Sequence, residues 1–134
     1  MSEHGKALMQ RWFAVVADGT FREAAPEIWH PKFDYRVDPD YSGVDGMVAW
    51  AEFVTSAFPD QRHSIVTQVG EGDWVCTLFE VTATQRGEFL GVPASGNKIM
   101  IPVLSLARVQ DGKFIEEWEL FDGEELRRQM TKEG

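Results

Sequence analysis

The sequence predicts an α+β fold in which N-terminal helices pack on one face of a cone-shaped, curved antiparallel sheet and enclose a pocket. Three observations predict it. Apolar residues recur at helical spacing through the first third and again over residues 43–58. From Arg62 onward the apolar period shifts to that of strands. Tight-turn chemistry, Glu71 to Asp73 and then Asp111-Gly112, punctuates the strand-like half. Helices first and hairpin-linked strands afterwards are the order of an α+β domain rather than of a parallel α/β one.

Residues 3–17 form an amphipathic helix on this reading, because Leu8, Trp12, Val15 and Val16 share a stripe while Lys6, Gln10 and Arg11 lie elsewhere. Asp18 and Gly19 close it, Gly being able to reverse a helix end without a Cβ clash. Thr20-x-x-Glu23 has capping-box spacing and opens a short helix that carries Ala24, Ala25, Ile28 and Trp29, with Pro26 in its first turns. Residues 31–38 are extended, and Pro39 with Gly43 breaks them. The helix over 43–58 aligns Met47, Trp50, Ala51, Val54 and Phe58 on one side. Strands follow at 63–69, 74–85, 98–110 and 113–121, and a short helix over 122–130 comes last. Residues 87–97 hold Gly87, Gly91, Pro93, Ser95 and Gly96, a loop composition that could also serve as a flap over the pocket mouth.

The strand over 74–85 is apolar on both sides, with Val75, Phe79 and Val81 on one and Trp74, Cys76 and Leu78 on the other. A strand buried on both faces needs a second cover, which predicts a homodimer formed through the outer sheet face.

A chain of 134 residues has the length of one domain, 1–134, and its 43% hydrophobic and 26% charged residues suit a globular protein. The net charge of -9, from 22 acidic and 13 basic residues, repels phosphate backbones and anionic lipids, so neither nucleic acid nor membrane is an expected partner. No apolar run reaches membrane-spanning length, and the first residues lack a signal-peptide pattern. Cys76 is alone, which excludes an internal disulfide and a Cys-cluster zinc site and fits a reducing cytoplasm. No metal, nucleotide or flavin motif is present, so no cofactor is expected.

Several short stretches, in this order, resemble one family. They are Phe58-Pro-Asp60, Gly70-Glu-Gly-Asp73, the loop from Gly87 to Gly96, Asp111-Gly-Lys113, and Glu116-Glu-Trp118 followed by Asp122 and Gln129. Together, over residues 43–130, they resemble the SnoaL-like polyketide and ester cyclases, within the broader nuclear-transport-factor-2-like folds. Three positions depart from that family: Arg36 where a histidine is frequent, Ala83-Thr-Gln85 in place of Gly-Thr-His, and Leu78 in place of an arginine.

The resemblance implies a cofactor-independent cyclase or isomerase acting on a polyketide-like or other apolar carbonyl compound, with Asp122 as acid/base of an aldol-type cyclisation. The physical reason is solvation: a carboxylate walled by apolar groups is poorly hydrated and becomes a stronger base. Alternation places Phe114, Glu116, Trp118, Leu120 and Asp122 on one side of an extended strand, which would set Asp122 at the end of a pocket lined by the aromatic residues. The same Asp122 begins Asp122-Gly-Glu-Glu125, a capping-box spacing, so it also reads as a helix N-cap. His63 shares a strand side with Ile65 and is either a proton donor or a structural histidine. Glu116 either assists Asp122 or is a solvated carboxylate at the sheet edge. Trp12, Trp50, Gln85 and Trp118 are the expected substrate-binding residues, suited to a small apolar or aromatic ligand.

Two other readings stay open. Asp34, Arg36 and Asp38 at alternate positions would share one face of an extended chain, as an epoxide-hydrolase-like set or as a plain surface ion-pair row. The domain could also bind a small molecule, or serve as an accessory, without catalysis.

Overall fold

The computed structural model describes residues 2–133. Helix α1 (Ser2–Asp18) and helix α2 (Phe21–Ile28) lead into strand β1 (Trp29–Tyr35). A single 3-10 turn, Pro39–Tyr41, then precedes helix α3 (Gly43–Ala57). Strands β2 (Arg62–Glu71), β3 (Trp74–Thr84), β4 (Lys98–Gln110) and β5 (Lys113–Phe121) follow, and helix α4 (Gly123–Thr131) closes the order. The α+β class and the order of elements are as the sequence predicts.

One local expectation changes at α2. Thr20 makes no side-chain cap; Asp18 Oδ1 instead accepts both the Thr20 amide and the Thr20 hydroxyl. The aspartate that ends α1 therefore takes the polar role that the capping-box spacing assigns to Thr20.

The five strands form one curled, unclosed sheet in the order β1-β5-β4-β3-β2. Pairing is antiparallel except at one edge, where β1 runs parallel to β5. The hairpin-linked strands are antiparallel as expected, and the extended segment before α3 adds a parallel edge strand. It arises because β1 precedes α3 and returns to the sheet by a long connection, which a hairpin cannot supply.

Two bulges decide which side chains face the helices. In β5, Arg108 pairs with Glu116 but Val109 pairs with Phe114, so Ile115 is an extra residue. In β2, Ile65 pairs with Phe79 but Thr67 with Leu78, which leaves Val66 extra. One inserted residue reverses the facing of everything beyond it. Phe114 therefore shares the inner face with Glu117, Glu119 and Phe121, while Glu116, Trp118 and Leu120 face outward.

Two apolar clusters result. One joins α1, α2, α3 and β1 around Trp12, Trp29, Phe33 and Met47. The other joins Phe58, Phe79, Ile99 and Ile101 to Leu126 and Met130 of α4. Phe13 and Trp50 pack against both, and the cavity lies between them.

Candidate active site

The cavity has a volume of about 100 Å³. Its helical wall comes from Met9, Trp12 and Phe13 of α1 and Met47, Trp50 and Val54 of α3, and its sheet wall includes Phe79, Ile101 and Val103. Helical periodicity aims the α1 and α3 stripes at the inner face of the sheet, so the lining is almost wholly apolar. The ionisable side chains in it are Glu117, Glu119 and His63.

Glu117 and Glu119 are two residues apart beyond the β5 bulge and so point to the same side. Glu117 is only 3% exposed. The Ser105 hydroxyl of β4 donates to Glu117 Oε2 at 2.6 Å, and the Tyr35 hydroxyl of β1 donates to Glu119 Oε1 at 2.9 Å. Burial, then the neighbouring Glu119, pushes the Glu117 carboxyl well above the usual range, against the opposing Ser105 hydrogen bond. Burial also raises Glu119, and the Tyr35 hydrogen bond opposes it. Burial, together with the charge of Glu119, pushes the Tyr35 phenol up and keeps it a donor. Two carboxyls in one apolar hollow resist ionising together, so the charge of Glu119 opposes ionisation of Glu117.

His63 enters the cavity from β2, stacked on Phe13 with ring centroids 4.7 Å apart. Burial lowers its pKa to about 4, so the ring is neutral near pH 7. Trp12 and Trp50 line the cavity as expected, Trp12 meeting Trp29 edge-to-face at 5.3 Å.

Four expected site residues lie elsewhere. Asp122 is exposed and absent from the cavity wall; it is the N-cap of α4, its Oδ1 accepting the Glu125 amide at 3.0 Å. Glu116 faces out, held by Arg108 Nε at 2.9 Å and Arg36 Nε at 2.8 Å. Those two hydrogen bonds keep its carboxyl below the usual range, the opposite of what proton exchange with a pocket acid requires. Trp118 also faces out, with the Arg36 guanidinium over its ring at 5.8 Å. The physical reason for Glu116 and Trp118 is the bulge, which reverses the alternation counted from Phe114.

Gln85 is fully buried but outside the cavity. Its Nε2 donates to the carbonyls of Gly87 and Val92, and its Oε1 accepts the Ser95 hydroxyl. It fastens the 87–96 loop, which sends Phe89 into the cavity wall. Asp34 pairs with Arg36 at 3.0 Å and Asp38 caps the 3-10 turn, and none of the three lines the cavity.

The sequence reading missed Glu117, Glu119, Tyr35 and Ser105. One signal was available: Glu117 and Glu119 share strand parity with Phe121, an apolar residue that ends the same side. Among the described residues, no group of three or more His, Cys, Asp or Glu side chains is arranged to hold a metal ion, and no helix is long and apolar enough to cross a membrane.

The pattern of the SnoaL-like polyketide cyclases matches residues 7–130. Among solved structures, TsrD from Streptomyces laurentii is similar at 25% identity and a TM-score of 0.89, covering 98% of this chain and 97% of its own. A candidate SnoaL-like polyketide cyclase from Jannaschia sp. CCS1 has 23% identity and a TM-score of 0.89, covering 99% of this chain and 95% of its own. AclR from Streptomyces galilaeus, a candidate hydroxylase, has 25% identity and a TM-score of 0.83 over the full length of both chains. No curated protein matches the chain.

Proposed function

Because the chain belongs to the SnoaL-like polyketide cyclase family, we propose that it is a cyclase-type enzyme in which Glu117 and Glu119 act as a general acid–base pair on a small apolar carbonyl compound. The observation that carries this reading is the pair of carboxyls, Glu117 buried and Glu119 half-buried, on the wall of an otherwise apolar, aromatic-rich cavity.

The two carboxyls have unequal settings, which supports different roles. Glu117 is the more deeply buried and the more strongly raised, which suits it to be the protonated acid. Glu119 carries the negative charge, which the Tyr35 hydroxyl stabilises. In an aldol-type cyclisation, Glu119 removes a proton from the carbon beside a carbonyl. The resulting enolate attacks a second carbonyl carbon of the same molecule and forms the carbon–carbon bond. Glu117 gives its proton to the new alkoxide, and loss of a proton from Glu119 to water with uptake of one by Glu117 after product release restores the starting state. Proton transfers of this kind contribute about 10²–10⁴-fold each. Neutral His63 offers a polar edge to a bound carbonyl, and Trp12, Phe13 and Trp50 suit a flat ring. No cofactor enters any of these steps.

A second copy of the chain covers the outer sheet face in this reading. Leu104, Leu106, Trp118 and Leu120 are all at least 39% exposed there, which supports an apolar interface. Leu120→Glu would then lower the sedimentation coefficient to that of a monomer; an unchanged value would remove the dimer from the account.

The catalytic reading is tested with 2-tetralone, a flat bicyclic ketone, by following exchange of its α-hydrogens in D2O. The protein should accelerate exchange, and Glu119→Gln should abolish the acceleration while the ketone still binds. Equal exchange by the protein and by Glu117→Gln and Glu119→Gln would defeat it.

A further inference from the structure

The polar groups behind the carboxyl pair form a line that the mechanism above does not use. It starts at the surface of α1 and crosses the inner face of the sheet one strand at a time. Gln10 Nε2 donates to Gln68 Oε1 at 2.8 Å, and Gln68 Nε2 donates to Thr77 Oγ1 at 3.1 Å. Thr77 faces Ser105 directly across the β3–β4 ladder, and both are buried, at 0% and 1% exposure. Ser105 then donates to Glu117 Oε2. Hydrogen-bonded side chains on α1, β2 and β3 thus end at Thr77, which faces, across the β3–β4 ladder, the Ser105 that donates to Glu117 on β5.

The line has a direction. Because Thr77 Oγ1 accepts from Gln68, its own proton is free to turn away from Gln68, and the facing group on the next strand is the Ser105 oxygen. Facing hydroxyls on neighbouring strands are a recurrent hydrogen-bonded pair. A Ser105 oxygen that accepts from Thr77 turns its own proton to Glu117. Donation into Oε2 leaves Oε1 as the oxygen that carries the carboxyl proton.

We infer that Gln68, Thr77 and Ser105 form a one-way hydrogen-bond chain that orients the Ser105 proton onto Glu117, so that Thr77 and Ser105 are positioning residues for the acid of the pair. The inference rests on the reading of Glu117 and Glu119 as the acid–base pair. The chain meets no competing charge at Glu117 other than its neighbours on the cavity wall. Tyr35 of β1 faces it, Glu119 lies on its own strand and His63 lines the cavity from β2; α1 and α3 bring only uncharged side chains to the lining.

The test is a carboxyl-carbon NMR titration of the full chain labelled with 13C in Glu side chains. Ser105→Ala should raise the Glu117 midpoint, because it removes a donor that favours the ionised form. Thr77→Val, which keeps the shape and removes the hydroxyl, should shift Glu117 in the same direction, and Gln68→Leu should do so more weakly. Thr77→Ser, which restores a hydroxyl, should return the midpoint to its original value and so separates orientation from packing. An unmoved Glu117 in Thr77→Val, with Ser105→Ala still shifted, would overturn the chain while leaving the acid–base pair intact. An ordinary Glu117 midpoint in the unmutated protein would instead overturn the pair itself.

Discussion

Ser105 faces Glu119 across the β4–β5 ladder yet donates its hydroxyl to Glu117. Tyr35 does the reverse on the other flank: it faces Glu117 across the β1–β5 ladder and donates to Glu119. The two donors cross, so each carboxyl receives one hydrogen bond from the residue opposite its partner. The arrangement holds two acids in a cavity that no Lys or Arg among the described residues lines, and it fixes the orientation of each.

Tyr35→Phe removes the donor that favours ionised Glu119. Glu119 should then stay protonated to higher pH, and the acid limb of the pH–rate profile for α-hydrogen exchange should move upward. The limb would stay in place if Glu119 were not the base.

Asp122→Ala should cost about 0.5–2 kcal/mol in a urea melt, the usual effect of losing an N-cap. Its exchange rate per folded molecule should match that of the unmutated protein, because the side chain is exposed and bonded to the Glu125 amide. A loss of rate with no loss of stability would return the acid–base role to Asp122.

His63 makes stability depend on pH in a defined window. Its pKa is about 4 in the fold against 6.5 as the ordinary value. Between those values the unfolded chain binds more protons, so stability rises with pH from about 4 to 6.5, by roughly 2–3 kcal/mol. The raised carboxyls Glu117 and Glu119 act with the opposite sign and weaken the fold as pH climbs through their folded pKa values. His63→Gln should remove the acid-side loss, so the gap between its urea midpoints at pH 4.5 and pH 6.5 should shrink. An unchanged gap would place the histidine in water.

The order of elements was legible because each signal was local. Stripes such as Leu8, Trp12 and Val15 need only helical spacing, and the Asp111-Gly112 turn needs only its own backbone, with Asp111 at φ 55° and Gly112 at φ 78°. The cavity aromatics Trp12 and Trp50 and the inward His63 were legible for the same reason. The carboxyl pair was not. Its facing depends on Ile115 being squeezed out of the β4–β5 register, a property of two strands together, so a count from Phe114 points the wrong way and only the parity with Phe121 points inward. Apolar residues on both sides of the strands hid the error further, since Leu104 and Leu106 alternate with Val103 and Ala107 without a polarity contrast. Gln85 was misplaced for a related reason: a buried amide beside a loop can face a ligand or the loop itself, and only the fold shows that the loop takes every bond.

The most direct measurement is the 13C-carboxyl titration of Glu117 and Glu119 in the unmutated protein. The account predicts that Glu117 titrates well above the ordinary glutamate range and that its curve is coupled to that of Glu119. Two independent curves near the ordinary value of 4.5 would contradict it.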